Sequence, residues 1–82
     1  MEYYVYILKS NNFDRLYIGQ TADIQRRLIK HNNGEVRSTK HYIPWQLIKY
    51  EVYNTRGEAR KRENYLKALK NKKYLLKLTD AG

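Results

Sequence analysis

The chain has 82 residues, with 17 lysines and arginines against eight aspartates and glutamates, a net charge of +9 and no cysteine. That length implies one domain, residues 1–82, with a modest core, and the missing cysteines exclude a disulfide framework or a thiolate metal site. No apolar run is long enough for a membrane span or a signal peptide, so a cytoplasmic protein is expected, and the charge points to a polyanion such as nucleic acid.

Residues 3–9 read as a strand of β-branched and aromatic side chains. The run is apolar on both parities, which predicts a central strand covered on both faces. Tyr4, Tyr6 and Leu8 share one face, and Tyr3, Val5 and Ile7 the other. Asn11 to Asp14 form a polar turn, and Leu16 to Gln20 a second strand, giving a hairpin. If Ser10 pairs with Arg15, Tyr6 lies opposite Gly19 and diagonal to Tyr17. Both phenols then project from one face, with Gly19 leaving open space beside them. A slip of one residue would separate them.

Thr21 or Asp23 can cap the helix that follows. It is expected to run to about Asn32 and to stop at Asn33-Gly34. At 100° per residue, Ile24, Arg27, Leu28 and His31 share one arc of about 100°. Arg27 therefore borders the core and Arg26 is solvated. Residues 34–44 form a loop whose Arg37, Ser38, Thr39, Lys40 and His41 suit a phosphate backbone. Trp45 to Tyr53 is the third strand, again apolar on both parities.

Thr55, with Glu58 three residues on, makes a capping box for a second helix from about Arg56 to Lys70. Ala59, Leu66 and Leu69 form its buried stripe, with Glu63 at the edge. Arg60, Lys61, Lys67 and Lys70 make its exposed side basic, and Lys67 is taken as a DNA contact. A short helix over roughly 71–79 closes the chain. The order is ββαβα plus a short C-terminal helix. This is an α+β fold: a small three-stranded antiparallel sheet flanked by helices.

Tyr6, Tyr17, Arg27, His31 and Glu63 can all reach one side of such a sheet. Phosphodiester hydrolysis needs an activated water and charge stabilisation on the phosphoryl oxygens. A tyrosine beside a cation can orient or deprotonate water. The planar fork of arginine matches two phosphate oxygens. A single glutamate can hold Mg²⁺, whose other ligands come from water and substrate phosphate. No zinc pattern, Walker loop or Ser/His/Asp set competes.

Val5-Tyr6 in YVYIL, Tyr17-Ile18-Gly19 in LYIGQT and RRLIKHNNG from Arg26 to Gly34 follow one another at a specific spacing. Ser38-Thr39, Pro44-Trp45 and KRENYLK around Glu63 come after them. In this order they resemble the GIY-YIG nuclease superfamily over almost the whole chain. The likeness is strongest to its small stand-alone, single-domain members, related to the nuclease module of the bacterial excision-repair subunit. The resemblance implies that Tyr6 and Tyr17 are the two motif tyrosines, one a general base or water-positioning group and the other a phosphate ligand. It implies that Gly19 is the motif glycine, that Arg27 stabilises the phosphoryl transition state, and that His31 assists proton transfer. Glu63 would bind the metal, Mg²⁺ or Mn²⁺. The function implied is a DNA endonuclease acting in repair or processing. The alternatives are a non-catalytic nucleic-acid-binding module on the same fold, or a subunit that needs a protein partner or a second copy. Two departures stand out. Tyr4 replaces the usual glycine of the first half-motif, which narrows the space beside the site. The nearest counterpart of a late metal-side asparagine is Asn71, at a shorter spacing than the pattern has, and it is not assigned to the site.

Overall fold

A computed structural model of the chain describes residues 1–69, 73 and 75–77. Three antiparallel strands, β1 (Tyr3–Ser10), β2 (Leu16–Thr21) and β3 (Trp45–Tyr53), form one sheet in the order β2-β1-β3. Of the two strands apolar on both parities, β1 is the central one, whereas β3 lies at the edge and leaves Tyr50 and Val52 exposed. Helix α1 (Ile24–Asn32) follows β2, and helix α2 (Arg56–Leu69) follows β3. Lys73 and Leu75–Lys77 are helical. The remainder of the helix expected over 71–79, Asn71 included, lies outside the described residues.

The hairpin register is set at its turn. The Ser10 N–H donates to the Arg15 carbonyl at 3.0 Å. The buried Ser10 Oγ accepts from the amides of Asn12 and Phe13 and donates to the Tyr42 carbonyl at 2.7 Å. One hydroxyl therefore closes the turn and ties it to the loop before β3. Tyr6 then pairs with Gly19 and Leu8 with Tyr17, the register that puts both phenols on one face.

The alternation of β1 sends its two halves into two small cores. Val5, Ile7 and Ile18 meet Ala59, Leu66 and Leu75 on the α2 face. Tyr6, Leu8 and Trp45 are buried on the α1 face, against Tyr17, Ile24, Leu28, Tyr42 and Leu47. Thr55 caps α2 as expected: its Oγ1 accepts the Glu58 amide at 3.2 Å and donates to the Glu58 carboxylate at 3.1 Å. Asp23 caps α1, its carboxylate accepting the Arg26 amide at 3.1 Å. After α1, Gly34 takes the positive φ of +75° that turns the chain away.

The loop before β3 is held from both ends. The Asn32 side chain accepts the Trp45 amide at 2.6 Å and donates to the Trp45 carbonyl at 3.1 Å, so it pairs with β3 as a strand residue would. The Trp45 indole N–H donates to the Thr39 carbonyl at 2.9 Å. These bonds join the end of α1 to the start of β3 and enclose the loop's inner side.

Candidate active site

The site lies on the α1 face of the sheet, and its centre is buried. Tyr6 is 2% exposed and His31 is fully buried. Arg27 is half-buried, one turn before His31, and Arg26 is exposed, as the helical arc predicts. The Tyr6 hydroxyl lies 3.1 Å from His31 Nε2, and His31 Nδ1 lies 2.8 Å from Thr39 Oγ1. The single Thr39 hydroxyl proton is directed at the Val36 carbonyl, 3.3 Å away. Thr39 Oγ1 must therefore accept from His31, which places the imidazole proton on Nδ1 and the lone pair on Nε2. The Tyr6 hydroxyl then donates to Nε2. The Arg27 guanidinium lies close enough to that hydroxyl to oppose the rise of its pKa. With this tautomer the donors run one way, from Tyr6 through His31 and Thr39 to the Val36 carbonyl.

Burial keeps both His31 and Tyr6 neutral near pH 7. Burial, reinforced by the nearby Arg27 cation, lowers the His31 pKa to about 4, so the ring is neutral near pH 7. Burial pushes the Tyr6 phenol up to about 12, against the opposing hydrogen bond and charge of Arg27. The Arg27 pKa is raised, chiefly by its hydrogen bond to Tyr6, with a smaller contribution from Tyr17.

Tyr17 is the more accessible phenol. It is half-buried, with its ring centroid 4.9 Å from that of His31, 6.2 Å from that of Tyr6 and 6.4 Å from that of Trp45. Gly19 does not leave open space beside the tyrosines. A Cβ there would sit 2.5 Å from the Tyr6 hydroxyl oxygen and 2.6 Å from Cζ. Glycine is needed because the end of the Tyr6 ring rests on the β2 backbone. Tyr4, expected to narrow the site, packs edge-on against Tyr50 at 5.9 Å and donates its hydroxyl to Glu2 at 3.3 Å.

Glu63 reaches the same end of the sheet from α2. Its Oε2 is 2.8 Å from Lys67 Nζ, and that ammonium lies 5.9 Å from the Tyr17 ring centroid. Glu63 also adds to the charge that raises the Tyr6 pKa. Among the described residues, no three histidine, aspartate or glutamate side chains cluster as a metal site. A partly shielded carboxylate of this kind still suits Mg²⁺, which is commonly held by one or two carboxylates and completed by water and substrate phosphate. Glu63 is the residue that would hold it.

Of the expected DNA contacts, Arg37, Ser38 and Lys40 are exposed, and Lys67 is exposed while paired with Glu63. Thr39 is not a surface donor. It is 1% exposed, and its hydroxyl is used by His31 and Val36. Trp45 and Asn32 also support the site; the sequence motifs contain both, but neither was given a role from sequence. Asn32 reads as part of a helix stop, and only the tertiary fold brings β3 to its side chain.

Residues 2–75 match the GIY-YIG catalytic domain. The chain belongs to the GIY-YIG family. It is 42% identical to a UPF0213 protein of Staphylococcus saprophyticus, over 99% of this chain and 98% of that one. A UPF0213 protein of Haloquadratum walsbyi is 38% identical over 87% of this chain and 80% of the relative. Among solved structures, the solution NMR structure of a UPF0213 protein from Bacillus halodurans superposes with a TM-score of 0.60 at 29% identity. That match covers 99% of this chain and 85% of the other. The three-stranded antiparallel sheet with helices is thus the fold of a GIY-YIG domain. No helix among the described residues is long and apolar enough to cross a membrane.

Proposed function

We propose that this GIY-YIG protein is a metal-dependent endonuclease that hydrolyses DNA phosphodiester bonds. The observation that carries the reading is a half-open phenol, Tyr17, with Arg27 beside it and the Glu63–Lys67 pair next to its ring, backed by the buried Tyr6–His31–Thr39 chain.

Tyr17 is the tyrosine that meets the attacking water. Tyr6 is sealed against Gly19 and already donates to His31, whereas Tyr17 is partly open and beside Arg27. The Tyr17 oxygen accepts a hydrogen bond from the water and aligns it on phosphorus. As water's oxygen bonds to phosphorus and the sugar oxygen leaves, the water's proton passes to solvent and the leaving oxygen takes one from solvent; the guanidinium pairs with phosphoryl oxygens as charge builds on them. Tyr6 and His31 hold that guanidinium in place. An imidazole with a pKa of about 4 is a weak proton acceptor at neutral pH, so orientation outweighs proton transfer in its role. Glu63 would hold a Mg²⁺ or Mn²⁺ ion, which would supply electrostatic stabilisation of developing negative charge. Lys67, exposed and paired with Glu63, is placed to contact the DNA backbone. Arg37, Ser38 and Lys40 extend the phosphate-binding surface along the loop. A role in DNA repair or processing and a cytoplasmic location fit this activity and charge.

Nicking of supercoiled plasmid in Mg²⁺ tests the assignment. Tyr17→Phe is expected to abolish nicking while DNA binding persists, and Tyr6→Phe to leave measurable activity. Full activity in Tyr17→Phe would overturn the mechanism.

A further inference from the structure

A groove of about 350 Å³ adjoins the site and takes no part in the chemistry above. It is lined by Tyr4, Ala22, Asp23, Ile24, Gln25, Leu47 and Tyr50. That volume lies within the range of about 300–1,000 Å³ typical of small-ligand pockets. It forms where α1 covers Tyr6 and Leu8 but stops short of the end of the sheet. Tyr50 is 54% exposed and Val52 is 46% exposed, both on this face. Tyr50 stands directly opposite Tyr6 in the β1–β3 ladder, so the groove begins one strand from the buried centre.

We propose that this groove receives an unpaired nucleobase of the strand whose phosphate lies at Arg27. Two features select a nucleotide over other occupants. The first is the aromatic wall: the Tyr4 and Tyr50 rings meet at 68°, making a corner in which a flat ring stacks on one and abuts the other. The second is the neighbouring charge. A depression of about 150 Å³, lined by Thr21, Asp23, Arg26, Arg27 and Lys30, shares Asp23 with the groove. It offers three cations against one carboxylate, and that is the complement of a phosphate next to a base. The groove's polar groups, the Gln25 amide and the Asp23 carboxylate, can meet ring nitrogens and exocyclic amines. The ligand class is single-stranded DNA, or duplex with a looped-out or mismatched base.

The inference rests on the nucleic-acid reading of the site, and the experiment separates the two. Binding of a labelled single strand and of a blunt, fully paired duplex is measured in chelator across a salt series, for wild type, Tyr50→Ala, Tyr50→Phe and Arg26→Ala. Tyr50→Ala is expected to weaken single-strand binding about tenfold with an unchanged salt slope, since stacking releases no counterions. Tyr50→Phe should retain affinity. Arg26→Ala should weaken both ligands and reduce the slope by about one. Equal single-strand affinity in wild type and Tyr50→Ala overturns this inference and leaves the nuclease proposal standing. Wild type that binds neither ligand overturns both. A dimer in sedimentation that Tyr50→Ala converts to monomer shows that a second copy fills the groove, and it also overturns the inference.

Discussion

Thr39→Val removes one hydroxyl from a buried chain at nearly constant volume, and the structure sets the consequences. His31 Nδ1–H loses its acceptor at 2.8 Å, and the Val36 carbonyl loses a donor at 3.3 Å. Leaving one buried donor unpaired costs about 1–3 kcal/mol. The ring cannot escape by moving its proton to Nε2. That N–H would then face the Tyr6 hydroxyl, whose own proton would lose its acceptor. For a domain of this size each kcal/mol shifts the melting temperature by about 4–8 °C, so a fall of roughly 5–20 °C is expected. Thr39→Ser keeps the hydroxyl and loses one methyl, worth about 0.8 kcal/mol. Thermal melts of the two variants, with long-range ¹⁵N–¹H spectra of His31 in wild type and Thr39→Ser, read both stability and tautomer. A Thr39→Val protein as stable as Thr39→Ser, or a wild-type ring protonated on Nε2, would refute the directional chain.

Two other outcomes follow from the structure. Gly19→Ala forces a Cβ to within 2.5 Å of the Tyr6 hydroxyl and should destabilise by about 1–3 kcal/mol, whereas Gly57→Ala, whose Cβ would meet only Thr55 Oγ1 at 4.0 Å, should stabilise α2 by roughly 0.5–1 kcal/mol; chemical denaturation of both checks the contrast. The His31 pKa falls from 6.5 to about 4 on folding, so between those values the unfolded chain binds a proton that the folded chain refuses. Its contribution, on the order of 3 kcal/mol, is full above pH 6.5 and is lost as the pH drops towards 4. Melts over that range should show a steeper loss for wild type than for His31→Gln.

The fold was legible because its determinants are local. The double-parity run of Tyr3 to Lys9 marks a central strand, the Thr55–Glu58 pair marks a helix start, and the arc through Ile24, Arg27, Leu28 and His31 marks the buried face of α1. Each depends on neighbours within a few residues. The same arc separated Arg27 from Arg26 before any tertiary contact was known. What the sequence hid depends on partners far along the chain. Thr39 sits among exposed polar residues and reads as one of them, yet the 3₁₀ turn over Lys40–Tyr42 and the indole of Trp45 draw it inward to His31. Gly19 reads as open space, but the long Tyr6 ring opposite it fills that space. The apolar third strand gave no sign of which side chains stay uncovered; that is decided by where α1 ends over the sheet.

The claim that this is a metal-dependent nuclease working through Glu63 is tested most directly by one rate measurement. Initial nicking of supercoiled plasmid is followed against Mg²⁺ concentration, for wild type and Glu63→Ala, at protein concentrations that give equal DNA binding. Wild-type nicking is expected to rise to saturation with Mg²⁺ and to vanish in chelator, and Glu63→Ala to cut at no concentration while still binding DNA. Nicking by Glu63→Ala at the wild-type rate would contradict the account. So would tight binding by wild type with no cleavage on plasmid or branched DNA, the behaviour of a nucleic-acid-binding module that keeps only the fold.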